Sequence, residues 1–479
     1  MERGNSVTND GAARLHGAKS GAASGGSNFP GTKTDEQRKS MKAFLTLEDG
    51  TVFTGRRIGA DRDVISEIVF NTTMAGYPEV LTDPSYAGQS VCMTYPLIGN
   101  YGICFDDCES DRPWMDALIV HEAAREPSNF RSDMSLLQFM EKYSLPGIEG
   151  IDTRKLTKIL REKGTMNGCI TSNENYSLDE ILPKLKAYTC GHVVEKVTCR
   201  EKYRIKGASS LADNAPVTGS AVFNPDRFAE EEDRYAEDEG AIGATSSVPD
   251  KNGFVHWATV PGSRPEHEKK PSLVKKLNGI RPDGRHLKIA LMDYGAKRNI
   301  AASLAARGCD VMVYPALTPA MDVLADDPDG IMLSNGPGDP KECRGMISEI
   351  RKFYASGVPI FAICLGHQLM ALATGADTYK LKYGHRGGNH PVKDLETGRV
   401  YISSQNHGYA VDTKSLDPAV AVPAFVNVND GTNEGLRYLD KNIFTVQFHP
   451  EACAGPQDSD YLFDRFIDMI YKAEHRTFG

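Results

Sequence analysis

Between Leu287 and about Thr374, short apolar runs alternate with helical patterns at a spacing that leaves few folds open. Lys288 to Met292, Asp310 to Tyr314, Gly330 to Leu333 and Ile360 to Ile363 each read as a strand. Asn299 to Ala306, stopped by Gly308, reads as a helix, as do Met346 to Tyr354 and Leu365 to about Thr374. Strand–helix alternation of this kind implies βαβ crossovers and a mostly parallel sheet. Ligands of such sheets sit outside the carboxyl ends of the strands, and that is where chemistry is expected.

The run Pro359-Ile-Phe-Ala-Ile-Cys-Leu-Gly-His-Gln places Cys364 at a strand-to-helix turn. A sharp elbow of this type exposes the serine of G-x-S-x-G hydrolases. Gly366 fits the close helix–sheet approach, but Ala362 stands where the first glycine would be, so the signature is half met. A helix N-terminus aimed at Cys364 is expected to favour its thiolate. The plainer reading is a buried cysteine ending a core strand.

A cysteine nucleophile needs a base and a group that orients the base. Phe444, Val446 and Phe448 alternate as strand residues, and His449 and Glu451 follow. The His-x-Glu spacing puts both side chains on one side of an extended chain, so Glu451 could hold the ring while His449 moves protons. A satisfied surface histidine is the competing reading. Ser334-Asn-Gly-Pro-Gly-Asp-Pro follows the strand ending at Leu333, and Gly336 and Gly338 leave backbone N–H groups open for an oxyanion. It also reads as an ordinary glycine turn.

Earlier in the chain, Ala43 to Phe53 carries a hairpin signal around Glu48, Asp49 and Gly50. Ile65 to Asn71 reads as a strand. Asp152 to Gly164 reads as a helix with Asp152 as its N-cap and Gly164 as its stop. Strands first and helices later suggest an α+β domain. Residues 207–285 lose all periodicity, carry an acidic run from Ala229 and then a basic patch at Lys269, Lys270, Lys275 and Lys276. Such a segment buries too little apolar surface to offset its ordering entropy. It is expected to be a disordered acidic linker or insertion, with an acidic docking or regulatory loop as the alternative.

The net charge of -9 argues against a nucleic-acid partner, and no apolar run approaches a membrane span. The ten cysteines include no CxxC pair, so neither a zinc site nor a disulfide framework is expected. Residues 1–41, rich in Gly, Ser and Ala, are expected to be a disordered tail of a cytoplasmic protein. Arg3, Arg14 and Lys19 leave a mitochondrial presequence as the alternative, and Glu2 and Asp10 break its acid-poor pattern.

Cys-Leu-Gly-His-Gln, Ser-Asn-Gly-Pro-Gly-Asp-Pro and Phe-His-Pro-Glu-Ala together resemble a class I, triad-type glutamine amidotransferase. Lys382-Tyr-Gly-His-Arg-Gly-Gly-Asn-His-Pro-Val and Gln405-Asn-His-Gly-Tyr resemble the version found in the small, glutaminase subunit family of carbamoyl-phosphate synthetases. So do Phe70-Asn-Thr-Thr-Met-Ala-Gly-Tyr-Pro-Glu, Leu81-Thr-Asp-Pro-Ser-Tyr, Thr94-Tyr-Pro-Leu-Ile-Gly-Asn and Gly150-Ile-Asp-Thr-Arg-Lys-Leu-Thr. The implied architecture is α/β: an N-terminal α+β small-subunit domain over 42–206 and a class I glutamine amidotransferase domain over 286–479.

The resemblance implies glutamine hydrolysis through a γ-glutamyl thioester on Cys364, with His449 as the proton carrier and Glu451 orienting it. Gly336 and Leu365 would supply the oxyanion hole. Ser85, Gly338, Gln368, Asn406, Gly408 and Tyr409 would hold glutamine, together with those two. His367, His385, His390 and His407 are expected to be structural or supporting. The resemblance implies no metal or cofactor for this chain, with ATP and Mg expected on a large ATP-grasp subunit that receives the ammonia. The rival readings are another triad amidotransferase, a regulatory pseudo-glutaminase and a stand-alone γ-glutamyl hydrolase.

Overall fold

The computed structural model describes residues 41–209, 277–452 and 455–477. The expected tail at 1–41, apart from residue 41, and most of the expected linker lie outside the described residues.

The N-terminal half opens with the hairpin read from the sequence. Strands β1 (Lys42–Leu47) and β2 (Val52–Gly59) pair antiparallel, and Gly50 takes a positive φ of 85° at the turn, which only glycine adopts cheaply. They are followed by β3 (Val64–Asn71), β4 (Gln89–Met93), β5 (Leu97–Ile98), β6 (Ala117–Ile119), β7 (Glu122–Ala123), β8 (Pro146–Glu149) and β9 (Met166–Thr171). Seven of these close a barrel in the order β1-β2-β8-β6-β4-β3-β9, and β5 pairs with β7 apart from it. Closure leaves the barrel no exposed edge strand. Helix α1 (Tyr77–Thr82), α2 (Leu136–Lys142), α3 (Thr153–Lys163), α4 (Leu178–Ala187) and α5 (Val194–Val197) complete this half. The Asp152 carboxylate accepts from the N–H of Lys155, capping α3, whose Leu156 and Leu160 are buried.

The C-terminal half is one ten-stranded sheet ordered β10-β12-β11-β13-β14-β19-β18-β17-β15-β16. Its strands are β10 (Tyr203–Ile205), β11 (Lys288–Asp293), β12 (Asp310–Pro315), β13 (Gly330–Leu333), β14 (Ile360–Ile363), β15 (Thr378–Asp394), β16 (Val400–Val411), β17 (Ala421–Asn427), β18 (Asn433–Tyr438) and β19 (Ile443–Val446). Five neighbours, β12-β11-β13-β14-β19, run parallel, and the rest pair antiparallel. Strand β10 precedes residue 206 yet pairs with β12, so the chain enters the second sheet before the boundary read from its motifs.

The parallel strands are apolar on both sides because helices cover both faces. Helices α6 (Arg298–Ala306), α7 (Ala320–Ala325), α8 (Arg344–Ser356), α9 (Leu365–Ala373) and α10 (Tyr461–Thr477) do so. Ala290, Met292, Ile331 and Leu333 pack towards Ile350 and Phe353 of α8 and Leu369 of α9. Ile289, Leu291, Met332, Phe361 and Ile363 pack towards Leu304 of α6 and Phe463, Phe466 and Ile470 of α10. At the head of α9 the packing is tight enough to require a missing side chain. A Cβ on Gly366 would lie 2.5 Å from the Leu333 carbonyl oxygen. Gly366→Ala should therefore destabilise this half by about 1–3 kcal/mol, read as a lowered urea midpoint. An unchanged midpoint would contradict the packing.

Candidate active site

Cys364 and His449, the expected nucleophile and base, follow adjacent parallel strands. Strand β14 pairs with β19 so that Ile363 faces Val446, and the Cys364 N–H donates to Val446 O at 2.8 Å. Cys364 therefore leaves the sheet beside the point where the chain runs on to His449. Cys364 has φ 51° and ψ −104°, a conformation that costs a non-glycine residue about 1–3 kcal/mol. The chain must turn this sharply to pass from strand into α9, which makes the expected elbow real despite Ala362.

His449 is tied from the other side. Its N–H donates to Ser404 O at 2.9 Å, linking it to β16 two residues before Asn406. Its Nδ1 lies 2.5 Å from Glu451 Oε1, and both side chains are fully buried. Burial works to raise the Glu451 carboxyl, but the charges of His449 and Lys297 and the His449 hydrogen bond outweigh it and hold it at about 2. Glu451 is thus an anion that accepts from Nδ1–H, leaving Nε2 as the basic nitrogen. By linkage, the ionised carboxyl stabilises the fold above its ordinary pKa, and that contribution disappears as pH falls through about 2.

Among the described residues Nε2 of His449 has no hydrogen-bond partner, and the Cys364 thiol instead donates to Asn406 O at 3.7 Å. The N–H of Leu365 at the head of α9 favours a Cys364 thiolate, as expected of a helix N-terminus, but burial opposes it more strongly. Burial raises the thiol strongly and Asp83 adds to it, while Lys297 and the N–H of Leu365 pull the other way without prevailing. Desolvation of a fully enclosed sulfur exceeds what one helix end supplies.

Of the other residues singled out, Ser85, Gly336, Gly338, Gln368, Asn406, Gly408 and Tyr409 line one cavity of about 390 Å³ together with Cys364. Leu365, His449 and Glu451 lie behind its wall. The Gly336 loop is pressed against the end of β11, where an added Cβ would meet Tyr294 O at 2.1 Å. The Gln368 side chain donates to Tyr409 O at 2.8 Å and to Gln447 Oε1 at 2.9 Å. His407 sits between Tyr409 O at 2.7 Å and Gln405 Oε1 at 2.6 Å. His367 bonds Thr445 Oγ1 at 2.7 Å, and burial lowers it to about 3. His385 contacts Asp430 at 2.8 Å.

Two residues that sequence reasoning missed complete the arrangement. The buried Lys297 ammonium lies 3.5 Å from Glu451 Oε1 and 3.7 Å from Asp83 Oδ2. Asp83 belongs to the N-terminal half, where its carboxylate accepts the Ser85 N–H at 2.9 Å and the Asn406 side-chain amide at 2.8 Å. Asn335 reaches across to donate to Ser85 Oγ at 2.9 Å. Both halves of the chain therefore build the site. Asp83 stood inside the Leu81-Thr-Asp-Pro-Ser-Tyr motif, whereas nothing local marked Lys297.

Two family models match the chain: "Carbamoyl-phosphate synthase small chain, CPSase domain" over residues 45–170 and "Glutamine amidotransferase class-I" over 290–469. The carbamoyl phosphate synthase small chain of Syntrophotalea carbinolica is 43% identical over 434 residues, spanning 90% of this chain and 98% of its own. The chain belongs to the carbamoyl phosphate synthase small chain family. The small chains of Fusobacterium nucleatum and Bacillus caldolyticus are each 42% identical, over 89% and 90% of this chain and 97% of theirs. The family model for the amidotransferase covers the elbow, the Gly336 loop, β16 and His449, and the small-chain model covers Asp83 and Ser85.

A buried, protonated thiol makes a kinetic statement. Carboxamidomethylation of Cys364 in the resting chain, followed on its peptide by mass spectrometry, should rise about tenfold per pH unit through about pH 9. A plateau below about pH 8 would mean that a thiolate already exists.

Proposed function

We propose that the chain is the glutaminase subunit of a glutamine-dependent carbamoyl-phosphate synthetase. The observation that carries this is the buried His449–Glu451 pair at 2.5 Å, placed by β19 next to the Cys364 elbow on β14, at the back of a cavity walled by both halves of the chain.

In this reading glutamine enters the cavity and displaces the Cys364 thiol from Asn406 O. His449 Nε2 takes the thiol proton, and Sγ attacks the side-chain amide carbon. The oxyanion forms beside the N–H groups of Gly336 and Leu365. The Gly336 N–H has no partner among the described residues, and the Leu365 N–H already points to the sulfur, as preorganised donors should. His449 returns its proton to the leaving ammonia, giving a γ-glutamyl thioester, and then activates water to release glutamate. Glu451 steadies the positive charge on the ring, and Lys297 helps keep the Glu451 carboxyl ionised. Ser85, Gly338, Gln368, Asn406, Gly408 and Tyr409 form the glutamine-binding wall.

Ammonia is useful here only if a synthetase captures it. The family name supports a large-subunit partner that uses ATP and bicarbonate to make carbamoyl phosphate, with ATP and Mg held there and not by this chain. The product would feed arginine or pyrimidine biosynthesis.

Glutamate release by the chain assembled with a cognate large subunit, ATP and bicarbonate should fall at least about 10³-fold in Cys364→Ser, while ammonia-dependent carbamoyl phosphate synthesis by the same complex persists. Hydrolysis that survives in Cys364→Ser would remove the catalytic assignment. Ammonia delivered to a different acceptor, and not to carbamoyl phosphate, would remove the synthetase assignment.

A further inference from the structure

We infer that Arg386 binds the α-carboxylate of glutamine and so separates glutamine from other γ-carboxamides. This deepens the glutaminase reading above and rests on it.

Arg386 lies on β15 opposite Asn406 of β16, the strand that also carries Gly408 and Tyr409. The pairing shifts register on both sides of it, between Lys380 and His385 and between Gly387 and His390. Such bulges re-aim side chains. Its side chain lines the same cavity as Cys364 and Gly408, yet the residue is only 4% exposed.

Two glycines locate the guanidinium. A Cβ added to Gly384 would lie 2.4 Å from Nη1, and one added to Gly408 would lie 3.3 Å from Nη2. The cation therefore rests against Gly408 of β16 in space that side chains at these positions would fill.

What makes the group informative is its lack of partners. A guanidinium carries five N–H donors. Among the described residues Arg386 makes one side-chain hydrogen bond, from Nη1 to Tyr383 O at 2.7 Å, and its Nε is buried with none. No carboxylate of the described residues pairs with it. Glu67 is the acid whose charge it feels most, and Glu67 is already engaged by Lys380 at 2.7 Å. Burying a cation without an anion is costly. A ligand carboxylate accepting two parallel N–H bonds would relieve that cost in the geometry guanidinium suits best. Of the groups on glutamine, only the α-carboxylate is an anion.

The test compares two substrates in the full chain assembled with its large subunit: glutamine, and L-glutamine α-amide, in which the α-carboxylate is a neutral carboxamide. Arg386→Gln should raise KM for glutamine about 10- to 100-fold with little change in kcat, and should leave KM for the α-amide within about twofold. Arg386→Lys keeps the charge but loses the fork, and should give a smaller rise confined to glutamine, which keeps the test open if Arg386→Gln fails to fold. Equal losses on both substrates, or an unchanged KM for glutamine, would overturn the assignment and leave the glutaminase reading standing. A wild-type complex that hydrolyses no glutamine would take down both.

Discussion

A single buried ammonium joins the two halves of this molecule. Lys297 lies between Glu451 of the amidotransferase domain and Asp83 of the barrel domain, all three excluded from water. Removing one partner from such a cluster leaves a buried charge uncompensated, at a cost of roughly 3–5 kcal/mol. The same carboxylate of Asp83 fixes Asn406 and the Ser85 turn. The charge balance around the His449–Glu451 pair is therefore tied to the docking of the barrel domain. A small-chain domain that moved away would take with it the counter-charge of Lys297 and part of the glutamine wall.

That coupling bears on how the sulfur is kept. Cys364 is enclosed, its thiol donated to a backbone carbonyl and its acidity suppressed by burial. Among the described residues the Nε2 of His449 has no hydrogen-bond partner. The resting arrangement holds the parts of a nucleophile without an ion pair between cysteine and histidine. In the proposed reading, substrate completes the constellation by displacing the thiol from Asn406.

Much of this was legible in the sequence, for local reasons. Ile360–Ile363 was bounded correctly because Pro359 and the elbow punctuate a fully apolar run, and α3 because Asp152 and Gly164 mark its ends. His449 and Glu451 were visible from their motif, but the extended strand expected to align them ends at Val446, and a turn at residues 449–452 brings the two side chains together instead. What escaped notice was non-local. Leu45 pairs with Ile170 to close the barrel, β10 crosses into the second sheet, and the β15–β16 arm hides its strand pattern behind glycines, histidines and bulges. Lys297 looked like any polar residue before a helix; only folding brings Asp83 and Glu451 to it. The helix end that favours the Cys364 thiolate is readable from sequence, whereas the desolvation opposing it is not.

The most direct measurement of the central claim is the mass of the Cys364 peptide after the assembled complex is mixed with glutamine and quenched in acid. Nucleophilic attack by Cys364 predicts an added γ-glutamyl group on that peptide and on no other, lost again as glutamate is released. Glutamate formed with the Cys364 peptide unmodified at every time point, or the adduct found on a different side chain, would contradict it.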